Sequence, residues 1–298
     1  MSNIYQKSIL TDKDIPALLP RRYKNGHKGS YGRVALICGS AAYPGAALLS
    51  VEAALRSGVG YTTLYAPKEV RDLVLARTPE CVTYPIETLY ETSIAETPLA
   101  KADAIVFGPG VGQEKQTEDL LFSLLSSPLP MPILIDADGI NLLAKHPEKC
   151  KELFTKQTKN IIFTPHPLEF IRLFGGDMTE LLSNRESFVL DAAKLFSATV
   201  LLKGNRTLVA TKNGELWENP TGGAGLSKAG SGDVLSGLIG GFLAQGMETI
   251  AATTLAAYLH GKAADTLEQT LSPFGVTPSD LPLQIAKLLS EFSSFSCI

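Results

Sequence analysis

Arg33-Val-Ala-Leu-Ile-Cys38 is a continuous apolar run, long enough for one buried strand, and the turn Gly39 to Gly45 follows it directly. Ala46 to Ser57 is then rich in Ala and Leu at helical spacing, with Gly58 standing where a helix C-cap would. Strand, glycine turn and apolar-faced helix make one unit of a parallel sheet covered by helices. The unit recurs down the chain. Tyr61 to Tyr65 reads as a strand, and Pro67 opens a helix through Ala76. Ala104 to Phe107 is a strand ending in Gly108-Pro-Gly-Val-Gly112, with a helix over Glu114 to Leu125. Ile133 to Ile135 precedes a short helix from Gly139 to Lys145. Ile161 to Phe163 runs into Thr164-Pro-His-Pro167, after which Leu168 to Phe174 turns helical.

The second half changes character. A helix from about Thr179 to Phe196 leads to the strand Thr199 to Leu202. Thr207 to Thr211 and Glu215 to Trp217 flank Lys212-Asn-Gly214, and Asn-Gly between β-prone runs is a strong hairpin signal. Asn219 to Gly232 is too rich in glycine for a regular element, and three helices follow over Asp233 to Gln245, Glu248 to Leu267 and Ser279 to Ser290. The expected fold is α/β, a mostly parallel sheet with an antiparallel addition near the hairpin. No linker-like shift in composition or repeat interrupts it, so one domain is expected over residues 1–298.

Of the 298 residues, 45% are hydrophobic and 19% charged, which excludes a disordered, collagen-like or coiled-coil chain. Net charge is −3 and no Lys/Arg block exceeds a pair, so a nucleic-acid partner is not expected. No apolar run reaches the ~20 residues needed to span a bilayer, and Met1 to Lys7 lacks a signal-peptide profile. Cys38, Cys81, Cys150 and Cys297 are too far apart for a zinc or CxxC pattern, and Cys38 and Cys81 sit in apolar runs as small buried hydrophobes. A protein of the cytoplasm, without membrane partners, is expected.

In open α/β sheets, ligands bind outside the carboxyl ends of the strands, where every glycine turn above lies. Gly230-Ser-Gly-Asp233 is the strongest candidate, because it opens the apolar helix beginning at Val234. Small residues let a ligand approach the backbone, and the unpaired first N–H groups with the helix dipole form an anion hole. Asp233 beside a phosphate site would repel the phosphate unless it takes a proton from an attacking hydroxyl. A plain Asp N-cap is the alternative, though an N-cap needs no fourteen-residue glycine-rich approach. There is no GxxxxGK[ST], and Lys115 occupies the position where a GxGxxG would need its last glycine.

Gly29-Ser-Tyr-Gly32, Gly39-Ser40 with Tyr43-Pro-Gly-Ala46, Gly108-Pro-Gly-Val-Gly112, Asp136-Ala-Asp138, Thr164-Pro-His-Pro-Leu-Glu169, Lys203-Gly204 with Thr207, and Ala229-Gly-Ser-Gly-Asp-Val-Leu235 follow one another in order. This ordered set, over about residues 28 to 245, resembles the ADP- or ATP-dependent NAD(P)H-hydrate dehydratases of the ribokinase-like superfamily. The resemblance implies a three-layer α/β/α sandwich. It also implies repair of NADHX and NADPHX, the hydrated nicotinamide cofactors, by phosphorylation of the ring hydroxyl and elimination of phosphate. By similarity Asp233 is the catalytic base and also touches substrate, with Ala46, Gly112 and His166. Lys203, Gly204, Asn205, Arg206, Thr207, Gly230, Ser231 and Gly232 would bind ADP or ATP, and Glu169 would hold Mg²⁺ through water. In Asp136-Ala-Asp138, one carboxylate is expected to cap the following helix and the other to face the nucleotide. His27, His146 and His260 read as structural. Gly223-Ala-Gly-Leu226 replaces the family's usual Asn-Pro-Gly-Met, and losing Asn and Pro predicts a looser loop. Too few residues precede the match for a fused epimerase domain, so the epimerase is expected on a separate chain. A homotetramer is expected by analogy. The alternative within the superfamily is a small-alcohol kinase of the hydroxymethylpyrimidine or hydroxyethylthiazole type.

Overall fold

The computed structural model describes residues 7–155 and 158–293. Ten strands form one sheet: β1 (Lys7–Ile9), β2 (Arg33–Ile37), β3 (Tyr61–Ala66), β4 (Val82–Pro85), β5 (Ala104–Phe107), β6 (Ile133–Ile135), β7 (Ile161–Phe163), β8 (Thr199–Leu202), β9 (Leu208–Ala210) and β10 (Leu216–Glu218). Their order is β1-β10-β9-β8-β7-β6-β5-β2-β3-β4. Every pairing is parallel except the two made by β9, with β8 and β10. The antiparallel addition therefore falls at the expected Asn-Gly hairpin, where Leu216 pairs with Ala210 and Gly214 has φ +87°.

Alternation along the central strands divides the interior in two, as a period of two requires. Val34 and Leu36 of β2 and Val106 of β5 enter one apolar cluster, while Ala35, Ile37, Ile105 and Phe107 enter the other. The first cluster is closed by helices Pro44–Arg56, Ser231–Ala244, Thr249–Gly275 and Leu281–Phe292, and the second by helices such as Lys115–Ser126, Pro167–Phe174 and Arg185–Leu195. This is the three-layer α/β/α arrangement.

Two helix readings need correction. The segment expected as one helix over Thr179 to Phe196 is two, Met178–Ser183 and Arg185–Leu195, broken at Asn184 with φ −133° and ψ 41°. The helix expected to stop at Leu267 runs on to Gly275, with a non-helical Ser272 (φ 57°) ahead of Pro273. Strands β1 and β4 and the helix Pro147–Thr155 were not anticipated. Both strands lie at sheet edges and are too short for alternation to register. Cys38, Cys81 and Cys150 are buried free thiols, and burial pushes the latter two up to about 12. Cys297 lies outside the described residues.

The Pro44–Arg56 and Ser231–Ala244 helices meet along a seam of small residues. A Cβ on Gly237 would strike the Ser50 carbonyl, which as backbone cannot turn aside. At the same crossing the Ser50 hydroxyl donates to the carbonyl of Asp233 (3.0 Å). Gly237→Ala should therefore cost about 1–3 kcal/mol or more through overpacking. Thermal melts of the variant check this, and an unchanged melting temperature would contradict the tight crossing. No helix among the described residues is long and apolar enough to cross a membrane.

Candidate active site

The carboxyl ends of β2 and β5 carry the first two glycine turns, and the chain ties them together. The Gly39 N–H donates to the Pro109 carbonyl (2.8 Å). A Cβ on Gly110, at φ +59°, would lie 2.9 Å from the Ala46 Cβ. Ala46, in the first turn of its helix, and the Gly108–Gly112 loop thus form one continuous wall. Gly112 is fixed from the next strand, its N–H donating to Asp138 Oδ2 (3.0 Å) while Gln113 Nε2 donates to Oδ1 (3.0 Å).

The two carboxylates after β6 part company because Ala137 between them adopts a left-handed backbone (φ 50°). Such a conformation is costly for a residue with a Cβ and persists where the surroundings hold it. Asp138 turns outward to Gly112, so neither carboxylate caps the following helix, contrary to expectation. Asp136 turns inward and is 1% exposed. It accepts from Lys203 Nζ (2.6 Å) and from Ser236 Oγ (2.6 Å). Lys203 comes from the end of β8, its N–H anchored on the Pro165 carbonyl (2.9 Å). A Cβ on Gly232 would sit 3.2 Å from Lys203 Nζ, so glycine there leaves room for the ammonium beside the helix start.

That helix, Ser231–Ala244, is capped by Gly230 at φ +101°. Asp233 is therefore its third residue rather than its N-cap, which removes the capping alternative. Burial pushes the half-buried Asp233 carboxyl up to about 7, with the Asp136 charge adding to burial and Lys203 opposing both. A group so placed can accept a proton near neutral pH beside an array of N–H donors. Any step needing ionised Asp233 should accelerate as pH rises through about 7 and level off above. Removing the negative neighbour with Asp136→Asn should move that limb to lower pH, and a pH–rate profile checks it. A limb that stays put would show that Asp136 does not set the Asp233 proton.

His166 and Glu169 form a capping box at the Pro167–Phe174 helix. His166 Nδ1 accepts from the Leu168 and Glu169 N–H groups (3.1 and 3.3 Å), and Glu169 Oε2 accepts from the His166 N–H (2.9 Å). His166 Nε2 lies 3.3 Å from Glu169 Oε1. With Nδ1 accepting, Nε2 carries the ring proton of a neutral imidazole, and burial together with Lys203 holds the ring below its usual range. Burial raises Glu169. No group of three or more His, Cys, Asp or Glu among the described residues is arranged to hold a metal ion directly. A Mg²⁺ ion, which keeps part of its hydration shell, does not require such a cage.

Beside this cluster opens a cavity of about 440 Å³, lined by Lys203, Gly204, Asn205, Thr207, Ser231 and Gly232 among others. Gly230 caps the helix behind it. Arg206 is the member of the expected nucleotide segment that the lining leaves out, since its guanidinium pairs with Glu218. Arg185 supports this loop from below, donating to the Asn205 carbonyl (2.6 Å). The opposite rim is Gly222 followed by the Gly223–Leu226 segment expected to be loose. It is pinned instead by two carboxylates of the Thr249–Gly275 helix: Gly222 N–H donates to Asp265 Oδ2 (3.0 Å) and Gly225 N–H to Glu268 Oε1 (2.6 Å). Ser236, Asp265 and Glu268 had drawn no role, and His260, read as structural, lines the cavity. An acid one helical turn after another at 265 and 268 was the only signal for two of them.

The comparisons agree with this geometry. A family model described as NAD(P)H-hydrate dehydratase matches residues 34–287. The bifunctional NAD(P)H-hydrate repair enzyme Nnr of Moorella thermoacetica is 36% identical, covering 88% of this chain, which spans half of that longer protein. The ADP-dependent (S)-NAD(P)H-hydrate dehydratase of Neisseria meningitidis is 34% identical over 89% of this chain and 87% of its own. The solved ADP/ATP-dependent NAD(P)H-hydrate dehydratase of Bacillus subtilis, co-crystallised with ATP/Mg²⁺, is 31% identical and superposes with a TM-score of 0.87 over 98% of this chain and all of that one. Hydroxyethylthiazole kinase of Pyrococcus horikoshii, 18% identical at a TM-score of 0.64, shares the fold alone. With its ordered glycine turns, its GSGD helix start and this match along most of its length, the chain belongs to the NAD(P)H-hydrate dehydratase family.

Proposed function

We propose that this chain is a hydro-lyase that restores NADH and NADPH from the S forms of NADHX and NADPHX, with ADP or ATP as phosphoryl donor. The observation that carries the reading is the half-buried Asp233 carboxyl in the first turn of a helix whose first two residues, Ser231 and Gly232, line a cavity of about 440 Å³. The names of the relatives in Neisseria meningitidis and Bacillus subtilis support the substrate and the donor.

In this reading the hydrated dinucleotide lies along Ala46 and Gly112 with its ring beside His166. Asp233 takes the proton of the ring hydroxyl as its oxygen bonds to the terminal phosphorus of the donor. The P–O bond to the rest of the nucleotide breaks, and Lys203 with the Gly232 N–H balances the charge passing through the phosphoryl group. The ring nitrogen then expels the new phosphate, a far better leaving group than hydroxide, and loss of the neighbouring ring proton restores the double bond. Gly204, Asn205, Arg206 and Thr207 belong to the nucleotide segment in this assignment, with Arg206 holding the loop through Glu218. Glu169 would hold Mg²⁺ through water, and the ion would offset the negative charge of the donor nucleotide. A single domain over 1–298, a cytoplasmic homotetramer and a working partnership with an NAD(P)HX epimerase complete the proposal.

The test is recovery of the reduced-nicotinamide absorbance from NADHX with Mg²⁺ and either ADP or ATP. Nucleotide-dependent recovery is expected. Nucleotide turnover only with small alcohols, each leaving a stable phosphorylated product, would move the chain to the kinase class.

A further inference from the structure

One guanidinium behind the nucleotide-sized cavity has no counter-ion. Arg185 is half-buried at the start of the Arg185–Leu195 helix, and no carboxylate pairs with it among the described residues. Two of its N–H groups donate to carbonyls, Nη1 to that of Asn205 (2.6 Å) and Nη2 to that of Leu202 (3.4 Å). Carbonyls satisfy hydrogen bonds but carry no net charge, so the cation stays uncompensated. The acid whose charge reaches it, Glu218, is already held by Lys7 and Arg206. Withdrawing a cation from water without an opposite charge is costly, and such cations are paired as a rule. An anion supplied by a ligand accounts for the arrangement.

The guanidinium stands against the backbone of the cavity wall. Gly204 lines the cavity at φ +146°, and a Cβ there would lie 3.2 Å from Arg185 Nη2. Glycine at 204 thus lets the charge approach a ligand through the wall, at the end where Lys203 carries its ammonium to the helix start at Gly232. The charges already in that wall do not duplicate it. Lys203 is neutralised by Asp136 at 2.6 Å, and Lys228 Nζ is turned to the carbonyls of Phe274 (2.7 Å) and Val276. No Asp or Glu among the described residues lines the cavity to repel an anion. The phosphates are the anionic part of a nucleotide, so they are the part this charge attracts.

We infer that Arg185 is a specificity-determining residue of the nucleotide site, its charge acting through the Gly204 backbone on the phosphates of ADP or ATP and favouring the nucleotide over the uncharged nucleoside. The inference rests on the proposed nucleotide reading and adds to it a cation that lies outside the 203–207 segment.

The test is calorimetric titration of the full chain, with Mg²⁺, by ADP and by adenosine, for wild type, Arg185→Lys and Arg185→Gln. Lys and Gln can both donate to the Asn205 carbonyl, but only Lys keeps the charge. Arg185→Gln should weaken ADP by about tenfold, the scale of one unit charge acting across several ångströms of protein. Arg185→Lys should keep most of the affinity. Adenosine, which lacks the phosphates, should bind all three proteins alike. Arg185→Met, which also removes the charge, gives the same comparison should the Gln variant not fold. ADP affinity unchanged in a folded Gln or Met variant would overturn the inference alone. So would an equal loss in Arg185→Lys, showing that the guanidinium fork shapes the loop, or a loss shared by adenosine, placing the role at the base or sugar. Wild-type protein that binds no adenine nucleotide would overturn the nucleotide reading and the inference together.

Discussion

Asp233→Asn should lower the rate of NADHX repair by about 10²–10⁴-fold, the usual cost of removing a general base. Nucleotide affinity should stay within a few-fold, because the amide keeps the shape of the helix start and removes a negative charge from beside the phosphates. The variant should also be more stable than wild type at pH 8. The folded carboxyl titrates near 7 against an ordinary 3.8, so the folded state holds its proton more tightly than the unfolded chain does. Ionising it as pH rises from about 4 through 7 costs stability, and above 7 that penalty is complete. Asn never ionises, so it escapes the penalty. Steady-state kinetics with melts at pH 5 and pH 8 check both halves: a fall in rate, with a gain in melting temperature larger at pH 8 than at pH 5. Equal rates would remove Asp233 from the chemistry.

Lys203→Met should cost about 10²–10³-fold in rate, comparable to removing one preorganised donor from a developing charge. It should also destabilise the fold by about 3–5 kcal/mol, the penalty for leaving one member of a buried pair alone, since Asp136 would lose its cation at 2.6 Å. The direction of the pH effect is the sharper signature. Lys203 lowers the Asp233 carboxyl while Asp136 raises it. Lys203→Met should move the rate limb to higher pH and Asp136→Asn to lower pH. Shifts in the same direction would contradict the assigned network.

How much of this was legible in the sequence follows from the range of the interactions. The Asn213-Gly214 turn and the apolar strand at residues 33–37 are local signals, and both appear where they were read. The GSGD helix start was legible for the same reason, since glycine and helix patterning lie within a few residues of each other. Strands β1 and β4 were not, because a three- or four-residue edge strand is defined by its neighbour rather than by its own pattern. The two acids at 136 and 138 were visible, but their division of labour depends on the left-handed backbone at Ala137 and on partners at Lys203, Ser236 and Gly112. The Gly223–Leu226 loop was read as loose because the carboxylate that holds it, Glu268, lies 43 residues beyond Gly225 in the chain. His260 looked like a core histidine by sequence, and only the cavity beside it shows that its outer nitrogen lacks a partner.

In the proposed reaction the site transfers a phosphoryl group to the ring hydroxyl before that oxygen leaves. The most direct measurement uses NADHX carrying ¹⁸O in the ring hydroxyl, turned over with unlabelled ADP or ATP, with the released inorganic phosphate analysed by mass spectrometry. Attack by the hydroxyl on phosphorus followed by C–O cleavage places one ¹⁸O in the phosphate for each NADH recovered. Unlabelled phosphate, with the ¹⁸O found in water, would show that hydroxide leaves directly and that nucleotide hydrolysis is a separate event.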